Sequence, residues 1–421
     1  MLVGLRSAVY ALAAPFTFLD DELSVSKGYL QVPTDDLWAI ALRSYHRASR
    51  QSHLSLLQLC LLLLQMPPQN FVVAEPPSFW NLSCSAVAIA ETLGLNIDPS
   101  DWRVPRREVM LRRRLWWLTY STHMWLALVC SRPSHINDDN WEVSDLRADD
   151  FETDDHDDPE IRESLQAQVP ISMAHCELSI ILADVLKEFY TLRAVRGSPS
   201  LPTLLNRAQP LRTRIEAWRQ TLPFLSKPAS ELTEEEFEKG AALRLAHLTV
   251  EILIFRALLR PLLSHAVSPT DCTREPISTI LENCFTCAKV ATEMVSSLRA
   301  KHFAAFWPHC ELRCFLCFMY VSLNTINPDV RYQLCYVSTF ILMNLAQSPK
   351  HEMAVRYHTL LGKWRTTLRI QARAWPLARL ATMRLDAIFW KGLSSVVHGA
   401  GPDSPAVMLL KDQDSRGSGE G

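Results

Sequence analysis

The chain is 421 residues long and 48% hydrophobic, with 43 Lys and Arg against 45 Asp and Glu for a formal net charge of -2. That apolar content can bury one large core or two or three domains of about 150 residues, which excludes a wholly disordered chain, and the balanced charge excludes the basic excess of a free-standing nucleic-acid binder. Only 12 Gly stand beside 25 Pro while Leu, Ala and Arg recur throughout, so the composition points to an all-α fold, a large bundle of antiparallel helices.

In chain order, Leu2 to Leu19 has one Arg and an apolar middle but no clustered basic start, and it contains Pro15, so it reads as a helix through Leu12 rather than a secretion signal. Thr34-Asp35-Asp36 ahead of Leu37 and Trp38 predicts a helix start, and one helix from Asp35 through Gln65 follows, ended by Pro67-Pro68. Its Leu54 to Met66 run is the most lipid-like in the chain and is shorter than the roughly 20 apolar residues a bilayer requires, so no membrane partner is expected. A helix from about Ser78 to Gly94 is predicted next, with Gly94 as its stop. The helix beginning near Arg106 has the clearest amphipathic period, Leu111, Leu115, Leu118, Thr122, Trp125 and Val129 recurring every third or fourth residue.

Between Asn137 and Glu160 the acidic residues face only Arg147, a run that repels itself and predicts an exposed, solvated loop. The helical period returns from Ile161 through Val185 to Arg196, then over Pro210 to Leu222, Thr233 to His265, Pro276 to Lys301, Cys310 to Asn324 and Tyr332 to Ala346. Pro261 should kink or shorten its helix. From Pro402 the chain reads as a polar tail that does not order itself. The expected organisation is one domain over 1–395 followed by a disordered tail over 396–421.

The eleven cysteines, an odd number, sit mostly in apolar helical stretches and suit buried thiols in a reducing compartment. Cys284-x2-Cys287 and Cys314-x2-Cys317 have the spacing of zinc hooks. Both lie in helical runs without a turn-forming Gly, so thiols on helix faces are expected instead, and His309 and Cys310 are discounted on the same ground. Asp154-Asp155-His156-Asp157-Asp158 matches the D-D-x-x-D pattern of magnesium-diphosphate enzymes, yet it lies in the loop before Pro159 and no second metal motif follows. No G-x-S-x-G, P-loop or G-x-G-x-x-G occurs, so no catalytic, cofactor-binding or metal-binding residue is expected.

The segment from Ala86 to Val143 carries the most specific pattern: Leu93-Gly94-Leu95, then Arg112-Arg113-Arg114-Leu115-Trp116-Trp117, then Ser131-Arg132-Pro133-Ser134-His135-Ile136-Asn137-Asp138. It resembles the middle homology region of fungal zinc-cluster transcription factors, with a "LGL" helix end, an "RRRLWW" helix and a "GRP..I.D" turn. Ala305-Phe306-Trp307-Pro308, Trp364-Arg365 and Arg384 to Trp390 resemble its C-terminal half, most closely in the branch of nitrogen-catabolism co-activators. The resemblance implies a regulatory domain of a fungal RNA polymerase II transcription factor that controls metabolic, including nitrogen-catabolic, genes in the nucleus. It marks Arg112, Arg113, Arg114, Trp116, Trp117, Arg132, Pro133 and Asp138 as the family-motif and regulatory residues. In the family DNA is contacted through an N-terminal cluster of six cysteines holding two zinc ions; nothing before Cys60 is a cysteine, so that module, and zinc with it, is expected to be missing from this chain. The partners implied are other transcription factors or co-regulators, a small-molecule effector and a second copy of the chain. The alternative functions are a co-regulator that works by protein contact alone and, less favoured, an all-α magnesium-dependent diphosphate enzyme.

Three consecutive helical arginines cannot all face one partner, so ion pairs to the acidic loop or caps on neighbouring helices are expected, with the stems beside Trp116 and Trp117. Most relatives have Gly where this chain has Ser131, and the turn is therefore expected to be rebuilt locally. A movable joint is expected between the Arg112 helix and the Arg132-Pro133 turn, so that deleting Asp149 to Asp158 changes regulatory output without unfolding the domain.

Overall fold

The computed structural model describes residues 3–19, 21–29, 33–67, 70, 72, 77–152, 159–197, 199–263, 274–299, 330–392 and 405–409. These residues are helical almost throughout, an all-α fold, and their sole β-type pairing is an isolated bridge between Ile97 and Glu142. They form two compact units, the first holding residues 3–67 and 77–180, the second residues 70 and 72 and those from 181 onward.

In the first unit α1 (Val3–Ala13) packs on α3 (Thr34–Ala48). The Gly4 N–H donates to Ser44 Oγ at 3.2 Å, and a Cβ on Gly4 would meet Ser44 Cβ at 2.3 Å, so only glycine permits this approach. Between the expected helix end at Leu12 and the expected start at Asp35 the chain forms a further helix, α2 (Asp21–Tyr29). The single helix expected over Asp35 to Gln65 is in fact two, because the polar run Ser49 to His53 offers nothing to bury. His53 then starts α4 (Leu54–Leu63) afresh: its backbone is extended and its Nδ1 accepts the Leu56 N–H at 3.0 Å. Every residue from Leu56 to Leu64 is buried, which accounts for the lipid-like composition of that run without a membrane.

Next come α5 (Pro77–Thr92) and α6 (Arg106–Cys130), with Leu64, Phe79 and Leu126 in one apolar cluster. α5 stops at Gly94 in the left-handed conformation (φ +69°), where Leu95 N–H reaches Ala90 O and Gly94 N–H reaches Glu91 O, each at 2.9 Å. α7 (Pro159–Phe189) begins in this unit, and the boundary falls within it at Ile180. Against α6, Ser179 Oγ accepts the Trp125 indole N–H at 3.0 Å. Gln166–Phe189 is long and apolar enough to cross a membrane by length and composition, yet just over half of it is buried in the fold.

The second unit contains α8 (Leu192–Arg196), α9 (Leu201–Thr221), α10 (Pro223–Ser226), α11 (Glu234–Leu263), α12 (Arg274–Ser296), α13 (Val330–Ala346), α14 (His351–Ala374) and α15 (Arg379–Lys391). α9 begins nine residues before the predicted Pro210, since Pro202 occupies its first turn, where no backbone N–H is needed. Pro261 lies near the C-terminus of α11, which ends at Leu263. α13 is buried along nearly its whole length; Ser338 Oγ accepts from Trp364 Nε1 of α14 at 2.9 Å, and Gln371 Nε2 donates to Val295 O and Leu298 O. Within the predicted tail, residues 405–409 are helical with Ala406 and Val407 buried, because a short apolar run interrupts the polar sequence. The expected helix Cys310 to Asn324, Ala305 to Pro308 and the rest of the tail lie outside the described residues.

Candidate functional site

α6 is long, and charged near its N-terminus, because its arginines lie where α5 ends and the acidic segment returns. Arg112 donates from Nε to Glu108 Oε1 at 2.8 Å and from Nη1 to Leu93 O at 3.0 Å, capping the last turn of α5, while its guanidinium lies 5.1 Å from the Trp102 ring centre. Arg113 is the hub. It reaches Asp150 Oδ1 at 2.6 Å, both carboxylate oxygens of Asp98 at 3.3 Å and Ser100 Oγ at 2.8 Å. Arg114 is buried and donates from Nε to Met110 O at 3.3 Å. The three arginines therefore serve three different partners inside one unit.

The acidic segment is a loop, but it is not solvated throughout as its charge run predicts. Asp150 is only 2% exposed, and its second oxygen accepts the Arg147 N–H at 2.9 Å. Glu142 pairs backbone to backbone with Asn96 and Asp98 (2.8 and 2.7 Å), and the Ser144 N–H donates to Asp98 Oδ2 at 2.8 Å. Burial works against the charge on Asp98, but hydrogen bonds from Ser100, Arg113 and Ser144 outweigh it and hold the carboxyl well below the usual carboxylate range. Deleting Asp149 to Asp158 would remove the buried Asp150 and Phe151, so the expectation that this deletion spares the fold is corrected: these two residues are structural. The D-D-x-x-D run itself lies outside the described residues.

The double Trp belongs to the core. Trp116 and Trp117 are both fully buried, Trp117 donates to Ser144 O at 2.9 Å, and Trp141 of the acidic segment lies 5.3–5.8 Å from Trp116, Trp117 and Tyr120. Asp98, Arg113, Asp150 and Trp141 thus brace the loop to the helix. Arg132, Pro133 and Asp138 do not join this brace; they are exposed around the turn after α6.

That turn is not rebuilt. Ser131 itself adopts the left-handed conformation (φ 52°, ψ 46°), and the Ser131 and Arg132 N–H groups bond Leu128 O and Ala127 O at 3.1 and 2.9 Å, the same ending that Gly94 gives α5. Beyond it the His135 N–H donates to His123 Nε2 at 3.0 Å, which leaves the ring proton on Nδ1 to donate to Ser83 Oγ at 2.9 Å. A ring in that tautomer cannot take a proton from Ser83, so the pair is no nucleophile and base. Burial and the nearby His135 ring push the His123 pKa down to about 4, and Trp80 stacks on it at 5.0 Å. Sequence reasoning missed His123, Ser83 and Asp98 and read Asp150 as solvated; of the missed residues only Asp98 leaves a local trace, an Asp-Pro-Ser turn whose carboxylate accepts the Ser100 N–H.

Burial pushes the thiols of Cys60 and Cys176 up to about 12 and that of Cys335 to about 11, and raises Cys284 and Cys287 too, so these stay protonated at neutral pH. Among the described residues no group of three or more His, Cys, Asp or Glu side chains is placed to hold a metal ion. His309, Cys310, Cys314 and Cys317 lie outside those residues.

The motif arginines and tryptophans are thus spent largely on the scaffold's own interior, and a fold of this kind does not by itself assign a function. The chain belongs to the fungal specific transcription factor domain family, whose profile matches residues 2–220. It is 27% identical over 353 residues to the transcriptional activator protein DAL81 of Saccharomyces cerevisiae, covering 73% of this chain and 34% of that one. It is 25% identical over 291 residues to an uncharacterized transcriptional regulatory protein of Schizosaccharomyces pombe (66% and 39% covered), and 26% identical over 198 residues to Activator of stress genes 1 of Saccharomyces cerevisiae (45% and 20% covered). The chain thus spans between a third and two fifths of the length of the first two relatives. No solved structure matches it.

Proposed function

We propose that this chain is the regulatory domain of a fungal transcription regulator of metabolic genes, with nitrogen-catabolic genes as the finer assignment. The family match over residues 2–220, which contains the arginine-tryptophan helix and the turn after it, carries the reading. The protein works in the nucleus, and DNA is reached through a zinc cluster of the family's kind that these 421 residues do not contain. Other transcription factors or co-regulators, a small-molecule effector and a second copy are its partners. The brace around Arg113 supports a regulatory role, because it joins a charged loop to a core helix through contacts that two packings could share differently. Arg132 and Asp138, exposed beside that joint, are the contact residues, and the domain is 1–395.

The test fuses the chain to an unrelated DNA-binding module in yeast with a matching reporter. The expected result is a severalfold change in output that Arg132→Ala with Asp138→Ala diminishes at equal protein level. Unchanged output with and without the fused chain, at normal abundance, counts against the reading.

A further inference from the structure

In the second unit α15 presents an apolar face to solvent. Trp390 is 86% exposed and Met383 47%, with Ala387 exposed between them. At about 100° per residue these three fall within about 60° of arc on one side of the helix. The helix is held from its other sides: Leu380, Ala381 and Leu385 are buried, Arg365 and Arg369 of α14 donate to Asp386 at 2.7 and 3.1 Å, and Arg365 lies 4.0 Å above the Phe389 ring. Met383 and Trp390 are therefore not needed to seat α15, and with Ala387 they leave a contiguous apolar stripe in solvent.

Charge says what covers it. Between Lys363 and Lys391 there are seven Lys and Arg residues and a single acid, Asp386, in a chain whose total is -2. That acid is already shared by two arginines, whereas Arg379 and Lys391 are exposed. By helical position Arg379 flanks the apolar stripe on one side and Lys391 on the other. We propose that this face docks an acidic amphipathic segment of a partner protein, a short helix with aromatic or branched apolar side chains at three- and four-residue spacing and carboxylates along its edges. Trp390 and Met383 would cover the apolar row, and Arg379 and Lys391 would meet the flanking carboxylates. Nucleic acid would engage the cations but gives Met383 nothing to bury against. A second copy facing this surface across a two-fold axis would set like charges opposite one another. The α6 residues take no part, so the proposal stands or falls independently of the regulatory reading above.

The test measures binding of the full chain, by fluorescence anisotropy, to a labelled acidic amphipathic peptide of about 15 residues. Two controls accompany it: the same peptide with Asn and Gln for Asp and Glu, and a labelled double-stranded DNA fragment. The acidic peptide should bind, the neutral one about tenfold or more weaker, and Met383→Ala with Trp390→Ala, or Arg379→Gln with Lys391→Gln, should each weaken binding by about tenfold or more. The melting temperature should not move, since these side chains are exposed. No binding to the wild-type chain, equal binding to the Met383/Trp390 variant, equal binding of the neutral peptide, tighter binding of the DNA, or a dimer that the Trp390 variant abolishes would each overturn the proposal.

Discussion

Replacing Asp150 by Asn isolates the brace. In the native protein the carboxylate is 2% exposed, 2.6 Å from Arg113 and 2.9 Å from the Arg147 N–H. Removing one partner of a buried ion pair costs about 3–5 kcal/mol when the other is left alone. Arg113 keeps Asp98 and Ser100, and the new amide oxygen can still accept from Arg147, so about 2–3 kcal/mol is expected for Asp150→Asn. Arg113→Met strands two carboxylates and should cost about 3–5 kcal/mol. The double variant should fall short of the sum by about 2–3 kcal/mol, because the pair is lost only once. At about 2–4 °C per kcal/mol for a unit of this size, Asp150→Asn lowers the melting temperature by about 5–10 °C. Urea unfolding followed by tryptophan fluorescence is the assay, since Trp141 of this loop packs on Trp116 and Trp117 of α6. Glu152→Gln is the internal control: its pair with Arg106 is mostly exposed on both sides and should be worth less than about 0.5 kcal/mol. A coupling between Arg113 and Asp150 as small as that of the control would refute the assignment of Asp150 to the interior.

Ser131→Gly should stabilise the first unit by about 0.5–1 kcal/mol, because relief of the left-handed strain outweighs glycine's larger unfolded-state entropy; a lower melting temperature would show that Ser131 earns its place another way. Gly94→Ala at the matching turn should destabilise by about 1–2 kcal/mol, since its φ of +69° is compounded by a Cβ that would lie 3.1 Å from the Trp102 ring, and an unchanged urea midpoint would argue against that geometry. His123 is neutral in the fold, with a pKa of about 4 against the ordinary 6.5. The unfolded chain therefore binds the extra proton between those values: the stability due to this ring is fully present above pH 6.5 and lost as pH falls toward 4, by about 1.4 kcal/mol per pH unit. His123→Gln should flatten the fall in melting temperature over that window, and an identical slope in both proteins would exclude the ring as a contributor.

Much of the fold was legible because its rules are local. The three- and four-residue period of α6, the Thr34-Asp35-Asp36 start of α3 and the glycine that stops α5 each require only a few neighbouring residues. The break at Ser49 to His53 was hidden, since Arg and Gln propagate helices well and the cap depends on where the His53 ring points. Asp150 was misjudged for a different reason: the run around it is almost wholly acidic, and the cation that pairs with it in the interior stands 37 residues earlier. His123 and Ser83 are 40 residues apart and belong to no motif. At Ser131 the local preference for glycine yielded to the two backbone hydrogen bonds that the left-handed turn makes to Leu128 and Ala127.

The motif that identifies the family therefore does most of its work out of reach of any partner. Trp116, Trp117, Arg114 and Asp150 are buried, so a partner can influence the brace only through what borders it: the Arg132-Pro133 turn, Asp138 and the exposed edge at Ser100. If parting Arg113 from Asp150 costs about 3 kcal/mol, a ligand that stabilises the parted state must prefer it by more than about a hundredfold before that state becomes the majority. Few small effectors obtain such a preference from one exposed turn, whereas a protein segment that contacts the turn and replaces Asp150 with its own carboxylate could, because the lost ion pair would be re-formed across the interface. On the proposed regulatory reading the brace therefore suits an acidic protein segment better than a small effector acting alone, and Arg132→Ala, exposed and outside the brace, should weaken such a response at an unchanged melting temperature.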